Sequence, residues 1–349
     1  MTIALERQTY RASMGEEAYA TIDNRREEMG EQFELTELDR EFSLYTHRLG
    51  ASGLYLADAA ANYARTFKWR GAYNAMSVLK EQGVESVTVP SAGNHLRGAV
   101  MAGKILGMRV HGVVPTSAPM SKKEGAKQLW GDTPGFNLHV VGDSFDESLT
   151  WAHASAEQLG EVVHPFDDPL VSAGQGTLAD DIYGSALESN LDLRHVVLPV
   201  GGGGLFRGVA ERFRELGANI TVHGVEAQGS NSLSRSAEVG AVVDATHPNT
   251  RYGGSAVKRT AERTLDAYQT FPNTTLWKVD DDEVTAVVED YLEEIHYRKL
   301  DRCSSFVPFE PTTLVAVAGL SKITKAYPGE LIAVVGTGRN DAPGAIWQS

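Results

Sequence analysis

The strongest constraint on this chain is a rhythm that starts near residue 70. Short, unbroken apolar runs alternate with segments of helical periodicity. The runs are Ser86–Val89, Val110–Val114, His195–Val200, Ile220–Val225 and Leu331–Val335. A strand with one wet face alternates apolar and polar residues; a strand covered on both faces does not. Between the runs, Tyr73–Gln82, Gly98–Leu106, Lys122–Leu129, Leu205–Glu215 and Thr313–Lys325 carry apolar or small residues at helical spacing. His139–Val141 and Val162–His164 read as strands flanking a helix over Phe145–Leu159, and Glu283–Ile295 as a further helix. The pattern predicts an α/β fold with parallel strands and crossover helices. In such folds ligands meet the loops at the carboxyl ends of strands.

The 349 residues suffice for about two lobes. The net charge of −14 repels phosphate backbones and anionic lipid, so neither nucleic acid nor membrane is an expected partner. An anionic cofactor would therefore need local N–H groups and helix ends. No stretch of 18 apolar residues occurs, and the first seven residues show no secretory pattern. The single cysteine, Cys303, permits no intrachain disulfide and reads as a small residue near the core, which fits a cytoplasmic chain. Residues 1–50 are polar, with helical stretches such as Glu16–Met29, and read as a surface extension.

Four loops carry chemistry. Gly201-Gly202-Gly203-Gly204 follows a strand and precedes a helix, leaving backbone N–H groups open to a phosphate; on local grounds it is also a tight turn. The segment Ser91-Ala92-Gly93-Asn94-His95 offers N–H donors for a carboxylate and an amide for a ring oxygen, and equally reads as an ordinary N-cap. Lys68 sits among aromatic and small residues at a helix start. Burial and the helix dipole there favour the neutral amine that a Schiff-base lysine needs, although a lone lysine is also a common surface residue. Thr337, in Gly336-Thr337-Gly338-Arg339, could face a ring nitrogen or simply belong to a glycine turn.

In order along the chain, these segments resemble the fold-type II pyridoxal-phosphate (PLP) enzymes, and within them the threonine/serine dehydratases. Phe67-Lys68-Trp69-Arg70-Gly71-Ala72 is similar to the family's S-F-K-x-R-G-A, and Ser91 to His95 to its S-[SA]-G-N-H. His164-Pro165-Phe166-Asp167 and Ala173-Gly174-Gln175-Gly176-Thr177 resemble H-P-[YF]-D and A-G-Q-G-T. Pro199–Gly204 resembles P-x-G-G-G-G, and Glu310-Pro311 and Thr337-Gly338-Arg339-Asn340 stand where the family has E-P and S-G-G-N. The match runs from about residue 50 to 345.

The resemblance implies two open, twisted, mostly parallel sheets with PLP in the interdomain cleft. It implies a large domain of residues 1–87 and 167–349, a small mobile domain of residues 88–166, and a homodimer. Lys68 would bond the cofactor and serve as acid and base at the substrate Cα. Phe67 would lie against the ring, and Asn94 would bond its phenolic oxygen. Gly201, Gly202, Gly203 and Gly204 would cradle the phosphate, with Gly254 and Glu310 completing the cofactor contacts. Thr337 would face the ring nitrogen and leave it largely neutral. The N–H groups of Ser91, Ala92, Gly93, Asn94 and His95 would hold the carboxylate of an amino-acid substrate.

The departures narrow this. Ala92 replaces the serine that acts as a second base in racemases, so little racemisation is expected. The family's K-x-E-[DN] becomes Leu56-Ala57-Asp58-Ala59-Ala60, and its E-P-[AS]-G-A becomes Glu310-Pro311-Thr312-Thr313-Leu314. Glu226 lacks the nearby carboxylate of a divalent-metal site, so no metal is expected. The chain ends soon after the last strand, so no isoleucine-binding regulatory domain is expected. The leading expectation is β-elimination from threonine or serine, giving a 2-oxo acid and ammonia. The alternatives are β- or γ-replacement on an unusual amino acid, and a catalytically silent PLP-fold binding protein.

Overall fold

A computed structural model describes residues 16–131, 134–245, 249–252, 254–300 and 307–339. The chain divides into two compact units, one of residues 1–32 and 61–177, the other of residues 33–60 and 178–349.

The first unit holds a four-stranded parallel sheet. Its strands are β3 (Ser86–Pro90), β4 (Arg109–Val114), β5 (Phe136–Val140) and β6 (Glu161–Val162), in the order β5-β4-β3-β6. Val87, Val89 and Val110 are fully buried, as unbroken apolar runs require. They pack with Trp69, Met76, Leu96 and Val100 from the helices Lys68–Glu81 and Asn94–Leu106. The helix expected over Phe145–Leu159 is broken at Ser155 into Phe145–Ala154 and Ala156–Leu159.

The second unit holds a six-stranded sheet in which Leu35–Glu37 lies at one edge and Thr274–Val279 at the other. Its strands are β1 (Leu35–Glu37), β2 (Leu54–Asp58), β7 (Leu193–Pro199), β8 (Thr221–Ala227), β9 (Thr274–Val279) and β10 (Leu331–Gly336). All pair in parallel except β1, which runs antiparallel to β2. Residues 196–198 of β7 are wholly buried, and helix Pro311–Ala326 covers the sheet with Leu314, Val315 and Leu320.

Two expectations are corrected. The described part of the 1–50 segment is no surface extension. Ile22 and Met29 belong to the first core, β1 is a strand of the second sheet, and Leu38, Phe42 and Tyr45 are buried in the second core. Residues 1–15 lie outside the described residues, as does Cys303. The first unit also extends well beyond residues 88–166. Helices Lys68–Glu81 and Pro169–Gly176 pack on each other, and Lys68–Glu81 packs on Asn94–Leu106, so both belong with the smaller sheet.

Candidate active site

Lys68 is the first residue of its helix, with Phe67 at the N-cap. Its Nζ donates to the Pro165 carbonyl at 2.6 Å and lies 5.1 Å from the centre of the Phe67 ring. Three close approaches fix this helix start. A Cβ on Gly98 would stand 2.7 Å from the Trp69 nitrogen and 2.8 Å from the Lys68 carbonyl carbon. A Cβ on Gly71 would stand 2.5 Å from the Val171 oxygen, and one on Gly174 2.5 Å from the Arg70 oxygen. The glycines of the R-G-A and A-G-Q-G-T segments therefore let helices touch through their backbones. Beside them Arg70 is wholly buried and paired with Glu31 at 2.8 Å. Glu31 also accepts from Trp69 Nε1 at 3.0 Å, and Arg70 donates to Thr177 at 2.9 Å. Removing one partner of such a buried pair strands the other charge. Sequence reading missed Glu31, which lies far from Lys68 along the chain and in no recognisable motif.

The Ser91–His95 loop leaves β3 and enters helix Asn94–Leu106, with Gly93 at the N-cap and no side chain capping it. Ser91 Oγ accepts the Gly93 N–H at 3.3 Å. His95 is buried, and its Nε2 lies 3.0 Å from the Val163 carbonyl. That carbonyl can only accept, so the proton is assigned to Nε2; Nδ1 has no partner among the described residues. Burial first, and then the Lys68 charge, push the His95 pKa down to about 3. His164 is pushed down to about 4, chiefly by burial, and its Nδ1 accepts the N–H groups of Phe166 and Asp167. Lys68 therefore sits beside two neutral imidazoles, which leave any cationic charge there on the amine.

The second unit carries the glycine loop. Gly203 has φ +88°, a left-handed conformation, and a Cβ there would strike the Thr264 side chain at 2.3 Å. Gly203, the N-cap of helix Gly204–Glu215, has no side chain to cap it. A Cβ on Gly201 would stand 2.8 Å from the Gly254 oxygen, and one on Gly254 2.0 Å from Thr312 Oγ1. The loop, Gly254 and the bulkier Thr312 thus meet. The Ala261 N–H reaches the Gly202 oxygen at 3.4 Å, bringing the 260–264 segment alongside. The hydroxyls of Ser255, Thr260 and Thr264 are buried and have no hydrogen-bond partner among the described residues. A helix N-terminus with a glycine cap, beside buried hydroxyls, fits a phosphate. Each unit by itself thus carries residues that fit a part of PLP, the amine of Lys68 in the first for its aldehyde and this loop in the second for its phosphate.

At the end of β10, Thr337 Oγ1 donates to Glu310 Oε1 at 2.9 Å, and the Thr337 N–H donates to Thr313 Oγ1 at 3.0 Å. Both departures from the family pattern are built in here. Asp58 accepts from Arg339 Nε at 2.9 Å, and Arg339 lies 3.6 Å over the Phe309 ring and 3.3 Å from Glu41. Thr313 bonds Thr337 directly. Glu226 is buried, and its oxygens accept the N–H groups of Leu233 and Ser234 and the Ser234 hydroxyl. Burial raises its pKa against those bonds. It serves as a remote cap for helix Ser232–Val239. Among the described residues no group of three histidine, cysteine or acidic side chains could hold a metal. No described helix is long and apolar enough to cross a membrane.

Two parallel-dominated sheets flanked by helices, a glycine loop opening a helix and a lysine at a helix start together define the tryptophan synthase beta-like PLP fold. The model for pyridoxal-phosphate dependent enzymes matches residues 34–338, and the chain belongs to that family, whose cofactor is PLP. It is 33% identical over 279 residues to the biosynthetic L-threonine dehydratase of Pasteurella multocida, covering 79% of this chain and 50% of that protein. It is 32% identical over 290 residues to the L-threonine ammonia-lyase of Thermotoga maritima, covering 82% of this chain and 67% of that protein. The chain thus spans about half the length of the first of these relatives. Among solved structures, the processed form of threonine deaminase isoform 2 from Solanum lycopersicum superposes with a TM-score of 0.76 at 30% identity, covering 91% of this chain and 82% of that one. Maize serine racemase gives 0.78 at 23% identity, covering 96% and 95%, and shares the fold.

Proposed function

We propose that this protein is a PLP-dependent ammonia-lyase that eliminates the β-hydroxyl of threonine or serine. The reaction removes the α proton and the hydroxyl as water. The resulting enamine tautomerises and takes water up again, giving a 2-oxo acid and ammonia. When bound, PLP would supply the electron sink that makes the α proton removable.

Lys68 would carry the cofactor aldehyde and then move the proton at Cα. The observation that carries this reading is the placement of its Nζ on the Pro165 carbonyl, beside neutral His95 and His164. These imidazoles cannot compete for the proton that Lys68 must take and return. Phe67 would support one face of the ring, and Asn94 would bond its phenolic oxygen. The N–H groups of Ser91, Ala92, Gly93, Asn94 and His95 would hold the substrate carboxylate. Gly201 to Gly204, with Gly254, would hold the phosphate, and Glu310 and Thr337 would meet the ring nitrogen. Ala92 offers no second acid, so Cα would be reprotonated from one face only and racemisation would be slight. The lobe that carries the Ser91–His95 loop would move as substrate binds. A cytoplasmic homodimer completes the proposal.

The test is to incubate the holoenzyme with L-threonine and with L-serine and to quantify 2-oxo acid and ammonia in equal amounts. Turnover of at least one supports the reading; turnover of neither refutes it.

A further inference from the structure

Between β6 and helix Pro169–Gly176 the chain passes through Val163-His164-Pro165-Phe166-Asp167-Asp168, outside any helix or strand. Both ends of this strap are tied. The Val163 N–H donates to the Thr88 oxygen of β3 at 3.0 Å. Asp168 caps the helix by accepting the N–H groups of Leu170 at 2.8 Å and Val171 at 3.2 Å. Proline locks its own φ and keeps the residue before it out of the helical region, so His164-Pro165 reads as an extended dipeptide. Two carbonyls of the extended stretch meet the residues at the helix starts of this unit. The Val163 oxygen lies 3.0 Å from His95 Nε2, and the Pro165 oxygen accepts from Lys68 Nζ at 2.6 Å.

His164 shapes the turn that follows. Its Nδ1 lies 2.9 Å from the Asp167 nitrogen and 3.3 Å from the Phe166 nitrogen. A backbone N–H only donates, and its hydrogen cannot rotate away, so Nδ1 is bare and the proton of the neutral ring is on Nε2. The ring is also held by packing. Phe166 stands edge-on to it at 4.7 Å and Phe145 at 6.3 Å. Burial favours the neutral ring, Lys68 and His153 add to that, and Asp167 opposes it.

We propose that His164 is a positioning residue for Lys68: by gathering the Phe166 and Asp167 N–H groups it aims the Pro165 carbonyl at the Lys68 amine. This rests on the reading of Lys68 as the group that moves the proton at Cα. The Pro165 oxygen accepts from the amine before it takes that proton and from the ammonium afterwards, so Lys68 stays in place through both halves of the transfer. His164 acts through the backbone of its own turn. Without an acceptor at this position the two N–H groups lose their partner and the Pro165 carbonyl is free to turn.

Hydrogen exchange on the wild-type holoenzyme tests the clamp without a substitution. The Phe166 and Asp167 N–H groups should exchange much more slowly than those of an open loop, although both lie outside helix and strand. Exchange at the open-loop rate overturns the proposal. Two variants test the consequence. His164→Leu removes the acceptor, and His164→Asn restores one, since an asparagine oxygen reaches the N–H two residues on. In the full-length chain stripped of PLP, Lys68 should be acetylated about tenfold faster in His164→Leu, the worth of a hydrogen bond to a charged group. In holoenzyme that variant should lose about tenfold in kcat for L-threonine with KM little changed. His164→Asn should stay close to wild type in both measurements. Equal losses in the two variants, or wild-type labelling in His164→Leu, overturn the proposal. Labelling that responds while kcat does not would leave the anchor standing and overturn its catalytic role, through the reading of Lys68 on which that role rests. The exchange and labelling arms decide the anchor even if neither threonine nor serine turns over.

Discussion

Replacing Gly98 with alanine isolates the packing that aims Lys68. The new methyl would meet the Trp69 nitrogen at 2.7 Å, where ordinary contact begins at 3.4 Å. The start of the Lys68 helix must retreat by roughly 0.7 Å, because close-packed interiors have no slack to absorb the clash. Overpacking of this kind costs about 1–3 kcal/mol of stability. A misplacement of about 1 Å can cost on the order of 100-fold in rate, so a roughly tenfold or greater loss of kcat is expected. Gly103→Ala is the matched control. It lies in the same helix and is equally crowded, but its methyl would meet Val110 at 2.5 Å and the Met108 oxygen at 3.1 Å, on the β4 side. Urea unfolding and kcat on purified holoenzyme separate the effects. Both variants should lose comparable stability, and only Gly98→Ala should lose turnover well beyond that. Equal kcat in the two variants would refute the claim that this contact positions Lys68.

Three further outcomes are expected. Glu31→Gln breaks the buried ion pair with Arg70 and should cost about 3–5 kcal/mol in denaturant unfolding, while Glu28→Gln, at an exposed ion pair, should change stability by less than about 1 kcal/mol. Gly202→Asp should abolish PLP retention through dialysis by placing an anion where the phosphate would bind, and unchanged retention would count against the glycine loop. Acid should destabilise the fold: His95 and His223 are both pushed down to about 3, chiefly by burial, below an unfolded value of about 6.5. Their stabilising contribution is complete above pH 6.5 or so and is lost as pH falls toward 3. At pH 5 each costs about 2 kcal/mol, from about 1.36 kcal/mol per unit. Chemical denaturation at pH 7 and pH 5 measures it, and no decline would contradict the burial of both neutral rings.

The strands β3, β4, β7, β8 and β10 were legible because each is covered on both faces and reads as an apolar run. β9 was not, since Thr274–Val279 is an edge strand mixing threonine, tryptophan and lysine. β1 has only three residues, too few for periodicity to register. Leu38, Phe42 and Tyr45 did carry a helical spacing that marks a buried face, but the polar residues around them obscured it. The motif segments singled out Lys68 and the glycine loop as candidates, yet the reason for several of their glycines is contact with distant backbone, as Gly71 shows against Val171. Residue type gave Thr337 a hydroxyl; its carboxylate partner, Glu310, lies 27 residues away and appears only in the folded chain.

The most direct test of the account is to reduce the holoenzyme with borohydride and map the modified peptide by mass spectrometry. A phosphopyridoxyl group on Lys68 is the predicted result. A label on another lysine, or none on a cofactor-loaded protein, would contradict it.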